Sequence, residues 1–153
     1  MQILRTLALA AMAAIQTAHA PARTDPVLVR FVIDGDTIDV ATIGRVRLLG
    51  IDAPEIGHRF DTTAPFGRDA KQRLTSLVAQ RWVRLEFDGQ REDAYQRHLA
   101  YVLLEDGTFV NAVLVREGLA RVSTRVPLAR LEDLRRAETD ARDHRRGIWS
   151  ALR

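Results

Sequence analysis

A chain of 153 residues has the size of one domain with a single core, and its 46% hydrophobic content excludes wholesale disorder. The absence of cysteine excludes disulfide stabilisation and a cysteine nucleophile. The net charge of +3, with every Lys or Arg except Lys71 an arginine, permits an anionic partner but does not require one.

The first twenty residues stand apart. Arg5 precedes the uncharged run LALAAMAAI, and Ala18 and Ala20 form an A-x-A site, the pattern of a secretory signal peptide. The run is short for a membrane span. Residues 1–20 are expected to be cleaved, leaving 21–153 as a periplasmic or secreted domain without stable membrane association. An uncleaved, anchored N-terminus is the rival reading.

Residues 26–40 read as two strands about an Asp-Gly interruption, with Val27, Val29 and Phe31 alternating, then Ile38 and Val40. Gly44 marks a turn. RVRLLGI (45–51) is a third strand, with Arg47 on the face opposite Val46 and Leu48. Pro54 breaks it, and residues 56–66 form a polar loop. The stretch 67–80 predicts a helix with Ala70, Leu74, Leu77 and Val78 on one face. RWVRLEF (81–87) is a fourth strand, and HLAYVLL (98–104), apolar on both parities, is a central buried one. An Asp106-Gly107 turn leads to a helix over 110–117, which Gly118 can end in a left-handed cap. Pro127 suits the first turn of a last helix bearing Leu128, Leu131 and Leu134, which Gly147 ends. Ile148 and Trp149 fold back on the core, and Trp82 is expected there too. The expected fold is α+β, mainly β: a five-stranded OB-fold barrel with three appended helices.

Asp34, Asp36, Asp39, Asp52 and Glu55 interrupt this strand pattern. If the strands that Asp36 opens and Asp52 closes are neighbours, their carboxylates converge, and without His or Cys they suit a hard divalent cation. Read alone, Asp-Gly-Asp is equally a tight turn with the side chains on local amides. Arg47 and Arg97 flank the acids as a possible phosphate clamp, or as ordinary ion-pair partners. No P-loop or G-x-S-x-G motif is present, and the histidines lack zinc-ligand spacing.

IDGDT, RVRLLGIDAPE, FGRDA, EFDGQREDAYQRHLAYVLLEDGTFVNAVLVREGLARV and GIW, in that order from about Val27 to Trp149, resemble the staphylococcal nuclease (thermonuclease) family. The resemblance implies an OB-fold nuclease that uses Ca²⁺, with Mg²⁺ or Mn²⁺ as alternatives, to cleave DNA and RNA phosphodiesters. It implies a preference for single-stranded or denatured substrate and 3′-phosphate products; a monomer is the default expectation. It further implies Asp36, Asp52 and the backbone carbonyl of Ala53 as metal ligands. Glu55 is then the base for water, Arg47 and Arg97 bind the phosphate, and Asp34 and Thr37 give support. Asp39 has no assigned role.

Two departures from the family pattern stand out. Gln96 replaces a glycine before Arg97, where glycine would permit a backbone conformation that a Cβ disfavours. STRV (123–126) replaces stacking tyrosines, so Arg125 is left as a candidate to stack on a base or bind a phosphate. Tyr95 is either a stacking platform or packed against its loop. A non-catalytic OB-fold module that binds nucleic acid or protein is the alternative function.

Overall fold

The computed structural model describes residues 21–57 and 62–151, so the expected signal peptide lies outside the described residues. In chain order the elements are β1 (Ala22–Arg23), β2 (Val27–Asp34), β3 (Thr37–Val40), β4 (Gly44–Leu48), β5 (Ile51–Asp52), α1 (Gly67–Val78), β6 (Trp82–Phe87), β7 (His98–Leu104), α2 (Val110–Arg116), β8 (Arg121–Val122) and α3 (Leu131–Asp143). A 3₁₀ turn at Gly147–Trp149 follows.

Strands β2, β3, β4, β7 and β6 pair in that order, and β6 closes the ring by pairing again with β2. All these pairs are antiparallel except β4–β7, which is parallel. This is the expected five-stranded OB-fold barrel with three helices. Its interior is filled by the inward parity of each strand, including Val29, Ile38, Val40, Val46, Leu48, Leu85 and Val102, all fully buried. β1 extends β6 at the edge, and β5 pairs with β8 outside the ring.

Several local expectations are corrected. The third strand is split by the Leu49-Gly50 turn into β4 and β5. In β2 the register against β3 slips at Arg30, between the Val29–Val40 and Phe31–Asp39 pairs. This bulge changes which parity faces inward. Val32 is therefore buried, and Phe31, expected inside, is 53% exposed. Trp82 is 52% exposed, because Val83 takes the inward position beside it. Trp149 is buried as expected. The last helix starts at Leu131, not at Pro127. The Ala129 N–H is held by the Asp88 carboxylate, and Ala129 and Arg130 form a turn that leads into the helix. That helix ends at Asp143, before Gly147. Gly147 instead packs on Gly118: a Cβ on Gly147 would fall 2.1 Å from the Gly118 carbonyl oxygen, and one on Gly118 would fall 2.1 Å from that of Arg146. Glu86, a charged residue on β6, is buried beneath Arg23 and Arg130.

Candidate active site

The Asp-Gly-Asp interruption is a turn between β2 and β3, and Asp34 Oδ1 accepts from the Gly35 N–H at 2.7 Å. Gly35 is required here by space. A Cβ on it would lie 2.8 Å from the Cβ atoms of both Ala53 and Ala70, so glycine lets the turn sit directly against the chain after β5 and against α1. That close approach positions Asp36. Its carboxylate is buried, with Oδ1 accepting from the Thr37 hydroxyl at 3.0 Å and Oδ2 from the Ala53 N–H at 2.9 Å. Asp34 and Thr37 thus hold the turn and the carboxylate. Asp39 pairs with Arg30 on the barrel wall, a structural contact.

Arg47 sits on β4 between Thr37 of β3 and Leu99 of β7 in register. Its Nη1 donates to the Ile51 carbonyl at 2.9 Å, which turns the guanidinium toward the carboxylates. Nη2 then lies 2.6 Å from Asp52 Oδ1 and 3.4 Å from Asp36 Oδ2. A single nitrogen therefore gathers the two aspartates, Asp36 and Asp52. Asp52 is exposed at the end of β5, whereas Asp36 is buried.

Glu55 follows three residues later on the same segment. Its carbonyl accepts from the Ala64 N–H at 3.0 Å, and a Cβ on Gly67 would come 2.8 Å from the same oxygen. The start of α1 is thereby pressed against the Glu55 backbone. Desolvation raises the Glu55 pKa, and the charges of Asp34, Asp36 and Asp52 raise it further, partly offset by Arg47. The four acids and Arg47 form one electrostatic group.

Arg97 precedes β7, two residues before Leu99, the register partner of Arg47. Asp93 holds it: Oδ1 accepts its backbone N–H at 3.0 Å and Oδ2 its Nε at 2.8 Å. Gln96 does adopt the conformation that the family glycine would favour, at φ 59°. Tyr95 is exposed, with the Arg97 guanidinium 5.3 Å from its ring centre, so it is not packed into the loop. Thr124 uses its hydroxyl to close its own turn with Val126. Arg125 is exposed on that turn, beyond Ser123, whose N–H bonds the Gly50 carbonyl. Among the described residues no hydrogen bond or ion pair joins Arg125 to the acids.

Three contributors were not legible as site residues. Asp93 read as part of a polar connection, although an Asp two residues before Tyr95 is a turn signal. Asn111 is fully buried in α2, accepts from the Val102 N–H at 3.0 Å and donates to the Leu49 carbonyl at 2.9 Å. It braces the turn that launches β5; a lone Asn in an apolar helix was its only signal. Arg121 is the register partner of Asp52, a relation that only the pairing of β5 with β8 creates.

The oxygen donors suit a hard cation. Among the described residues no three Asp, Glu, His or Cys side chains form a metal cluster; the groups that could hold a cation here are the Asp36 and Asp52 carboxylates gathered by Arg47, with the adjoining Ala53 carbonyl. Water and a phosphate oxygen would complete such a shell, as is usual where substrate phosphate shares the metal.

The chain matches the family model described as "Staphylococcal nuclease homologue" over residues 45–151. It is 38% identical over 131 residues to a thermonuclease of Staphylococcus intermedius, covering 83% of this chain and 77% of that protein. It is 41% identical over 124 residues to endonuclease YncB of Bacillus subtilis (strain 168), covering 77% of this chain and 58% of that protein. It is 40% identical over 124 residues to the SPbeta prophage-derived endonuclease YokF of the same organism, covering 77% and 42% respectively.

Proposed function

The chain belongs to the staphylococcal nuclease family, and from that premise we propose that it is a metal-dependent nuclease hydrolysing DNA and RNA phosphodiesters. The observation that carries the reading is Arg47 Nη2 between Asp36 and Asp52, with Glu55 in their field. The endonuclease and thermonuclease names of the relatives support it.

On this reading Asp36, Asp52 and the Ala53 carbonyl would hold the cation, Ca²⁺ by preference, which when bound polarises the phosphate and offsets its charge. Glu55 orients a water and takes its proton, a role to which a raised pKa is suited. Arg47 and Arg97 hold the phosphate oxygens through the transition state. Arginine keeps its proton at neutral pH, so Arg97 acts by charge stabilisation and not as an acid. Water adds to phosphorus as Glu55 takes its proton, the bond to the 5′ oxygen breaks, that oxygen leaves as a hydroxyl with a proton from solvent, and the 3′ side keeps the phosphate. Single strands are the preferred substrate. The enzyme works as a monomer, exported after removal of residues 1–20.

The test is digestion of denatured DNA and of RNA with Ca²⁺, with Mg²⁺ or Mn²⁺, and with chelator. Chelator abolishes cleavage, Glu55→Ala lowers kcat by about 10²–10⁴-fold, and Arg97→Ala lowers it by about 10³–10⁵-fold. Cleavage indifferent to chelator and to both substitutions overturns the mechanism. N-terminal sequencing of exported protein should begin at Pro21; an intact Met1 refutes processing.

A further inference from the structure

A cleft of about 370 Å³ opens beside Asp52 and Ala53, the residues read above as holding the cation. Pro54 and Phe66 line it from the site segment and the start of α1, and Arg121 and Ile148 line it from β8 and the C-terminal 3₁₀ turn. The volume lies in the range of small-molecule sites, roughly 300–1,000 Å³. Its lining is mostly apolar, and it is continuous with the proposed reaction centre.

Arg121 gives the cleft its charge. It pairs in register with Asp52, yet the Asp52 carboxylate bonds Arg47, on the other side. The Arg121 guanidinium instead lies over the Trp149 ring, 4.8 Å from its centre, and the Arg142 guanidinium lies 4.2 Å from the same centre. Trp149 is buried, so the contact fixes Arg121 at the cleft while leaving its donors directed by no carboxylate among the described residues. Phe66 contributes an aromatic ring from a backbone at φ 68°, a conformation unfavourable for a bulky residue.

Resting on the nuclease reading, we propose that this cleft is a nucleotide subsite of the same active site. It takes the nucleoside next to the scissile phosphate on the β8 side, with the base against Phe66 and Pro54 and the following phosphate on Arg121. Base–aromatic stacking is sequence-tolerant, and a fixed guanidinium suits a phosphate. The subsite would supply base contact that the STRV turn does not.

The test measures binding of a fluorescein-labelled single-stranded oligothymidylate by anisotropy in chelator, beside the KM for unlabelled denatured DNA in Ca²⁺. Phe66→Gly removes the ring and relieves the positive φ, and Phe66→Asn removes it with a residue that tolerates that conformation. Both raise Kd and KM about tenfold, with thermal melting unchanged or improved for the glycine variant. Arg121→Gln weakens binding and lowers the slope of log K against log salt by about 0.7. Trp82→Ala, which removes an exposed aromatic outside the cleft, leaves both unchanged. Wild-type binding by folded Phe66 variants, or an unchanged salt slope for Arg121→Gln, overturns the subsite while cleavage by the wild type keeps the nuclease reading. A wild type that binds but never cuts overturns the nuclease reading, and the same Kd series still decides the cleft. A wild type that does neither overturns both.

Discussion

Arg97 owes its position to a turn that its neighbour enters at a cost. Asp93 organises this turn by accepting the N–H groups of Tyr95 and Arg97 on one oxygen and the Arg97 Nε on the other. Closing it places Gln96 at φ 59°, where a Cβ is unfavourable by about 1–2 kcal/mol. The bonds to Asp93 outweigh that cost, and burial of its carboxyl is outweighed in the same way, leaving its pKa lowered. Gln96→Gly removes the strain but adds backbone freedom to the unfolded chain, so the net gain is about 0.5–1 kcal/mol. Urea unfolding should show a higher midpoint with an unchanged slope; a lower midpoint would mean that the Gln96 side chain makes a contact worth more than the strain.

At the scale of elements, the site depends on β5 leaving the barrel at the right place, and α2 controls this through Asn111. That side chain joins Val102 of β7 to Leu49 at the start of the β4–β5 turn. Asn111→Ala leaves a buried N–H and a largely buried carbonyl without partners, at about 1–3 kcal/mol for an unsatisfied group. The expected loss is about 2–3 kcal/mol, or roughly 5–10 °C in Tm for a chain of this size, read by calorimetry. Cleavage should fall further than stability requires, because Asp52 loses its brace. Equal melting of variant and wild type would reject the role.

The same scale explains what was legible in the sequence. Strand parity around Val46, Arg47 and Leu48 was readable because the hydrophobic alternation is local, and it correctly turned Arg47 away from the core. Phe31 was misplaced because a one-residue bulge, which leaves no mark in the alternation itself, moved the inward parity to Val32. Trp82 was misplaced because its hydrophobicity does not say which face of β6 is covered. Of the site, Asp36, Arg47 and Asp52 were suspected from interrupted strands. Their meeting on one guanidinium nitrogen depends on a three-dimensional fit, with Gly35 against Ala53 and Ala70. Arg121 pairs in register with Asp52 across 69 positions of sequence and Asn111 bonds Leu49 across 62, and no local pattern announces either.

For the whole molecule, the N-terminal strand, the barrel and the last helix meet at Glu86. Its buried carboxylate on β6 accepts from Arg23 of β1, and from Nε and Nη2 of Arg130, just before α3, at 2.7 and 3.0 Å. Asp88 adds a second tie between β6 and the approach to α3, accepting from the Tyr101 hydroxyl and the Ala129 N–H. Burial alone would raise the Glu86 pKa, but the two arginines hold it below its ordinary value of 4.5. The unfolded chain therefore takes up this proton at a higher pH than the folded one. The stabilisation is fully present above about pH 4.5 and is lost as pH falls through the lower folded value. Glu86→Gln leaves two guanidiniums without their anion, one of them half exposed, so the cost at pH 7 is discounted to about 2–3 kcal/mol. In urea titrations from pH 7 to pH 3 the variant begins less stable, then loses less below pH 4.5, and the two curves converge. Parallel curves would show that the ion pairs hold the three elements together without linking them to the proton, and would place the acid sensitivity of the fold elsewhere.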